Sequence, residues 1–323
     1  MASFEVAVGL VLLLAIGAPH ILPLRRVTPA LGAAAWMSAL ALRALVAIGV
    51  SVFVFVYLPQ TGVYDAIAHW CWHEVLPLMS AHLGLSGHPL VHAAIVLPGL
   101  VLAGSLLWMA FGLARAWMAM RSQLRRAVGR GPLGSTVIED SDIVVGVTGL
   151  GRSQIVVSDT ALAAMDAEEL QASLSHELGH IARRHRPLLL ATSMLTALGR
   201  SLPGTKAAAR ELRLCLERDA DEYAVARTGD PLALASAICK AATRGTPLGA
   251  TGLGGSGRVV SRLDYLQGRG LRAGHGLERG TRLLAASSAT LVVALALTLP
   301  IWAMAVPQTE DLLSATESHC VRG

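Results

Sequence analysis

Four stretches of the chain are apolar almost without interruption: Phe4–Leu22, Leu40–Leu58, Leu90–Leu113 and Leu283–Val306. Each runs for about 19 to 24 residues, enough at 1.5 Å per residue for a helix to cross a ~30 Å hydrocarbon layer. They predict three spans in the first part of the chain and a fourth near its end. The first run lacks a basic leading segment and a small-residue cleavage site, and it leads into Pro-Leu-Arg-Arg. That favours an uncleaved span over a secretory signal.

Between the third and fourth runs the pattern is that of a folded domain. Asp142–Ser158 holds two β-branched runs around a Gly-rich turn and predicts a β-hairpin, whose strands are candidates for aligning an extended peptide. Asp166-Ala-Glu-Glu169 is a capping-box sequence that starts a helix near Ala167. Leu170, Leu174, Leu178 and Ile181 repeat along it at helical spacing and mark its core face, and Pro187 is expected to end or bend it. Leu188–Leu202 is apolar but short and bounded by Arg186 and Arg200, which suits a helix on the membrane surface better than a re-entrant hairpin. A further helix is expected between Pro203-Gly204 and Gly229-Asp-Pro231, and Arg244–Gly257 reads as a Gly-rich linker.

Composition sharpens the membrane reading: 53% of the 323 residues are hydrophobic and only 15% are charged. Basic residues then orient the spans, because Lys and Arg accumulate on the cytoplasmic side. Arg25 and Arg26 follow the first run; Arg115, Arg121, Arg125, Arg126 and Arg130 follow or close the third; no Lys or Arg lies between Leu58 and Leu90. The expected organisation is a three-span region over 1–120 with an outer loop at 59–89, a cytoplasmic domain over 121–281, and a last span with a short outer tail over 282–323. The net charge of +5 is accounted for by this asymmetry, so direct nucleic-acid binding is not expected. Arg43, inside the second run, is expected to snorkel to the interface. Cys215 and Cys239 fall on the reducing side, whereas Cys71 and Cys320 fall outside, either bridged or as two free thiols. The outer loop also carries His69, His73, His82, His88 and His92, in no spacing that defines a metal site, so interfacial anchoring is the preferred reading.

The chemistry is concentrated in two elements. His176-Glu177-Leu-Gly-His180 is an H-E-x-x-H sequence in the helix that starts at Ala167. Positions i and i+4 share a helix face, so His176 and His180 can hold one zinc ion, while Glu177 serves as base toward a water that zinc acidifies to a pKa of about 7. In Glu217-Arg-Asp-Ala-Asp221, Glu217 and Asp221 again share a face. Glu217 is expected as the third zinc ligand and Asp221 as acceptor for a ligand histidine's free ring N–H, with Asp219 and Glu222 pointing elsewhere. His185 lies off the ligand face and is expected behind the ligands or at the surface. Arg213, Arg218 and Tyr223 are weak candidates for stabilising an oxyanion.

Together, Ile-Val-Val-Ser before the motif helix, Ser-His-Glu-Leu-Gly-His, Glu-Arg-Asp-Ala-Asp-Glu-Tyr, the Arg258–Leu263 segment and the four apolar runs resemble the BlaR/MecR-type integral-membrane metallopeptidases of the gluzincin class. The HtpX-type quality-control and CAAX-endopeptidase group shares the two motifs. Its membrane members commonly carry a longer hydrophobic hairpin between them. The resemblance implies a mainly α, polytopic protein of a bacterial plasma membrane, with about four transmembrane helices and a cytoplasmic α+β zinc peptidase domain. It also implies a protein substrate, such as a transcriptional repressor in signal transduction. About 17 residues follow Val306, so the penicillin-binding sensor of the β-lactam receptors is not expected. A noncatalytic receptor stabilised by zinc is the competing class, disfavoured by Glu177.

Overall fold

A computed structural model describes residues 2–53, 89–148, 153–244, 256–268 and 274–304. The expectations for Cys71, Cys320, the outer-loop histidines and most of the 244–257 linker lie outside these residues or their described side chains.

Helix α1 spans Ala2–Ile21, α2 Pro29–Val52 and α3 Pro89–Leu124. Where the apolar run predicted a span from Leu40, α2 begins a good ten residues earlier, at Pro29. Proline there is pre-set for the first turn and forfeits no hydrogen bond. Its early residues face protein: Ala39, Leu40 and Leu42 are completely buried. Arg43 does not snorkel. It is buried and donates to the carbonyls of Ala39 (3.2 Å) and Ile16 (3.1 Å) and to His20 Nε2 (2.7 Å), so its charge is solvated from inside by α1 and α2.

A four-stranded sheet follows, β1 (Ala127–Arg130), β2 (Thr136–Ile138), β3 (Val145–Thr148) and β4 (Gln154–Ser158), in the order β1-β2-β4-β3. The predicted hairpin is the antiparallel β3–β4 pair, with Val145 opposite Val157 and Thr148 opposite Gln154. β4 also pairs in parallel with β2, leaving β3 at one edge. Short α4 (Asp159–Ala164) leads to α5 (Ala167–Ala182), the motif helix. The capping box is formed: Asp166 accepts from the Glu169 backbone N–H at 2.8 Å, and Glu169 from that of Asp166 at 3.0 Å. Leu174 is buried, and Leu170, Leu178 and Ile181 pack beside it against a core that includes Val145, Val157, Leu234 and Ile238.

Pro187 does not end α5. The break comes earlier, at Arg184, whose φ of 53° is left-handed, and α6 (His185–Leu198) takes Pro187 into its first turn, where a missing N–H costs nothing. Helix α7 spans Thr205–Thr228 between left-handed Gly204 and Gly229, followed by α8 (Pro231–Arg244), α9 (Ser256–Leu266) and α10 (His275–Met304). A second core joins Leu24 and Val27, Trp36 and Leu40 of α2, Leu212 and Leu216 of α7, and Ala285 of α10. The helices that read as membrane segments therefore share packing with the helix bearing Glu217.

Among the described residues, two helical segments are long and apolar enough to cross a membrane: Pro29–Val52, half of whose most apolar stretch is buried, and His275–Thr298. Four spans are not established by this count. Large apolar side chains stand exposed on α1 (Leu10, Leu13, Leu14), α3 (Leu107, Trp108) and α10 (Leu283, Val293, Leu297).

Candidate metal centre

Helices α5 and α7 pack side by side because Gly179 removes a side chain at their crossing. A Cβ there would meet the Ala220 Cα and O and the Tyr223 Cβ, all at 3.2 Å. This approach brings three sequence-predicted side chains together. His176 Nε2 and His180 Nε2 are 3.2 Å apart, and the Glu217 carboxylate lies 3.5 Å from the first and 3.9 Å from the second. Ligand atoms of all three lie within 4.8 Å of one another, and all three residues are buried.

The hydrogen bonds behind the two rings decide which nitrogen is free. His176 Nδ1 is 2.9 Å from Asp221 Oδ1; because an ionised carboxylate only accepts, Nδ1 carries the proton and the Nε2 lone pair faces the cluster. His180 is oriented by a longer relay. Its Nδ1 is 2.9 Å from His185 Nδ1, and His185 Nε2 is 3.0 Å from Asp219 Oδ2, which Arg183 also holds through Oδ1 at 3.0 Å. His185 donates to Asp219 from Nε2, so its Nδ1 accepts from His180 and the second Nε2 lone pair is freed too.

Without a metal ion the 3.2 Å contact is a hydrogen bond made by one proton between the two rings; a metal ion that displaced that proton would meet two Nε2 lone pairs. Ligand bonds of 2.0–2.1 Å at tetrahedral angles place two nitrogens about 3.3 Å apart, so the donor set fits zinc. Glu177 is buried beside it, and its Oε1 has no hydrogen-bond partner among the described residues. Burial pushes the Glu177 carboxyl up to about 7, against the opposing pull of His176. Burial and Arg262 oppose a charge on His176, yet the bonds with Asp221 and Glu217 push it up to about 9. Burial, with His176 next, takes His180 down to about 3. Burial works against ionisation of Glu217, but the His176 bond and Arg262 hold it at about 2. The cluster thus keeps Glu217 charged and attracts positive charge.

Three further residues belong to this cluster. His185 and Asp219, set apart by the helical wheel, are buried and aligned on His180. The only sequence signal for this was a third histidine five residues after His180. Arg262 of α9, 1% exposed, pairs with both Asp221 and Glu217. Arg218 instead donates to the Arg25 carbonyl at 2.8 Å and stacks over Tyr265, which removes it as an oxyanion donor.

Comparisons with curated proteins and with solved structures return no match. Residues 136–245, which begin at β2, extend just past α8 and carry all three converging side chains, match the sequence model of peptidase family M48, a zinc metallopeptidase family.

Proposed function

We propose that the protein is a membrane-embedded zinc endopeptidase that cleaves a cytosolic or membrane-proximal protein. The observation that carries this reading is the convergence of His176 Nε2, His180 Nε2 and Glu217 beside a buried Glu177 whose Oε1 has no hydrogen-bond partner among the described residues. His176, His180 and Glu217 would hold the metal, which supplies a Lewis acid for the scissile carbonyl and its attacking water. Glu177 takes the proton of that water on its free carboxylate oxygen and returns it to the departing amine nitrogen. A carboxyl near 7 serves both transfers at neutral pH. Asp221, and Asp219 through His185, hold the two imidazoles in the tautomer that keeps Nε2 unprotonated. A structural metal site needs no such base, which argues against a noncatalytic receptor.

Membrane embedding is supported by the exposed apolar faces of α1, α3 and α10, and a cytoplasmic site by the basic residues around α3 and after α1. Leu216, next to Glu217, shares a core with Trp36 and Leu40 of α2, so the site lies close to the membrane helices and suits a membrane-proximal substrate. The BlaR/MecR resemblance implies a transcriptional repressor as substrate and the HtpX resemblance a damaged membrane protein; the M48 match, over residues 136–245, supports the peptidase core and not the BlaR/MecR type. Glu177→Gln, nearly isosteric, should retain zinc and abolish proteolysis. Comparison of cellular protein amino termini with and without this variant would identify the substrate. Undiminished cleavage by the variant would remove Glu177 from the mechanism.

A further inference from the structure

Helix α9 lies outside the segment that matches the peptidase family, yet it inserts a fully buried cation behind the metal cluster. Arg262 Nε donates to Asp221 Oδ2 at 2.8 Å and Nη2 to Asp221 Oδ1 at 2.5 Å, a two-pronged pairing that fixes the plane of the carboxylate. Its Nη1 lies 3.2 Å from Glu217 Oε2. One turn further on, Tyr265 donates to Glu222 and lies under the Arg218 guanidinium, 3.7 Å from ring centre to Cζ. Two side chains of one short helix thus grip α7 on both sides of Asp221.

We propose that Arg262 is a positioning residue of the metal centre, setting the orientation of Asp221 and Glu217, and that α9 is consequently part of the peptidase unit. This rests on the zinc-peptidase reading above. Asp221 orients His176 only while it keeps Oδ1 on Nδ1–H, and a carboxylate held at one oxygen alone is free to rotate. The fork of Arg262 on both oxygens prevents this. On Glu217 it occupies the side of Oε2, leaving the carboxylate oriented so that Oε1 faces His180 Nε2. The guanidinium sits on the Nδ1 side of the His176 ring, 3.4 Å from that atom and opposite the ligand nitrogen. It therefore acts through Asp221 and Glu217 and does not touch substrate.

The test uses the full chain in detergent, measuring zinc affinity by chelator competition, the melting temperature of the metal-free protein, and kcat and KM separately. Arg262→Lys keeps the charge but loses the planar fork. It should weaken zinc binding roughly 10- to 100-fold and lower kcat, with little change in KM. Because a lone buried charge can prevent folding, Arg262→Met is combined with Asp221→Asn, which removes both partners of the pair; the double variant should bind zinc more weakly than Asp221→Asn alone. Tyr265→Phe loosens the same helix without touching a ligand. It should lower the metal-free melting temperature while zinc affinity stays unchanged. Wild-type zinc affinity in Arg262→Lys, or equal affinity in Asp221→Asn and the double variant, would overturn the proposal and leave the zinc-peptidase reading standing. Absence of zinc binding by the wild-type chain would overturn both.

Discussion

Replacing Gly179 by Ala puts the α5–α7 crossing to a quantitative test. The new methyl group would lie 3.2 Å from three atoms of α7, the Cα and O of Ala220 and the Cβ of Tyr223. Carbon atoms prefer about 3.5–4.0 Å. Those three atoms are backbone or the first atom of a side chain, so no rotamer change relieves the contact and the helices must separate by about 0.4 Å. Overpacking of this kind costs about 1–3 kcal/mol. Alanine returns about 1 kcal/mol of helix propensity over glycine, so the net loss of stability is about 0–2 kcal/mol. The proposed metal centre would be less tolerant, because its candidate ligands come from both helices and metal–ligand distances hold to about 0.2 Å. Gly179→Ala should therefore weaken zinc binding by at least about 10-fold, or about 1.4 kcal/mol, while the metal-free protein melts only slightly lower. Chelator competition and thermal unfolding with and without zinc give the two numbers. A variant with native zinc affinity and a raised melting temperature would refute the close approach, since propensity alone would then have decided the outcome.

Further outcomes follow from the same geometry. His185→Ala removes the acceptor for His180 Nδ1–H and should weaken zinc roughly 10- to 100-fold, with Asp219→Asn falling in the same direction. Unchanged metal affinity in both would reduce the relay to packing. In the metal-free protein Glu177 titrates near 7, against 4.5 for an ordinary glutamate, because burial disfavours its charge. The folded state then binds this proton more tightly than the unfolded chain, so the group's contribution to stability is full below pH 4.5 and is lost as pH rises through 7, on the order of 3 kcal/mol. Metal-free Glu177→Gln should show a flatter stability profile across that window, measured by denaturant unfolding, and an identical profile would exclude the titration of Glu177 as its cause.

The sequence carried the local features well. Asp166 and Glu169 announced the start of α5, the apolar repeat its buried face, and Gly204 and Gly229 the limits of α7, because capping and periodicity are decided within a few residues. It carried less where a local signal was overruled. Pro187 looks like a terminator, but the turn at Arg184 had already closed α5, so the proline falls where it is harmless. Arg43 looks like a snorkelling cation until α1 and α2 come together and supply carbonyls and His20 around it.

Spacing alone puts His176 and His180 on one face of a helix and Glu217 and Asp221 on one face of another, since a period of 3.6 residues is a property of the backbone. It also marks the long apolar runs as segments for which water is a poor solvent. The distance between the two helices, and what stands behind them, belongs to the tertiary structure. Contact at Gly179 brings Glu217 to the histidines, the turn at Arg184 sends His185 back onto His180, and α9 delivers Arg262 to Asp221. No periodicity along the chain encodes these meetings, because they are set by how apolar faces on separate helices bury one another and by which buried charges must then find a partner.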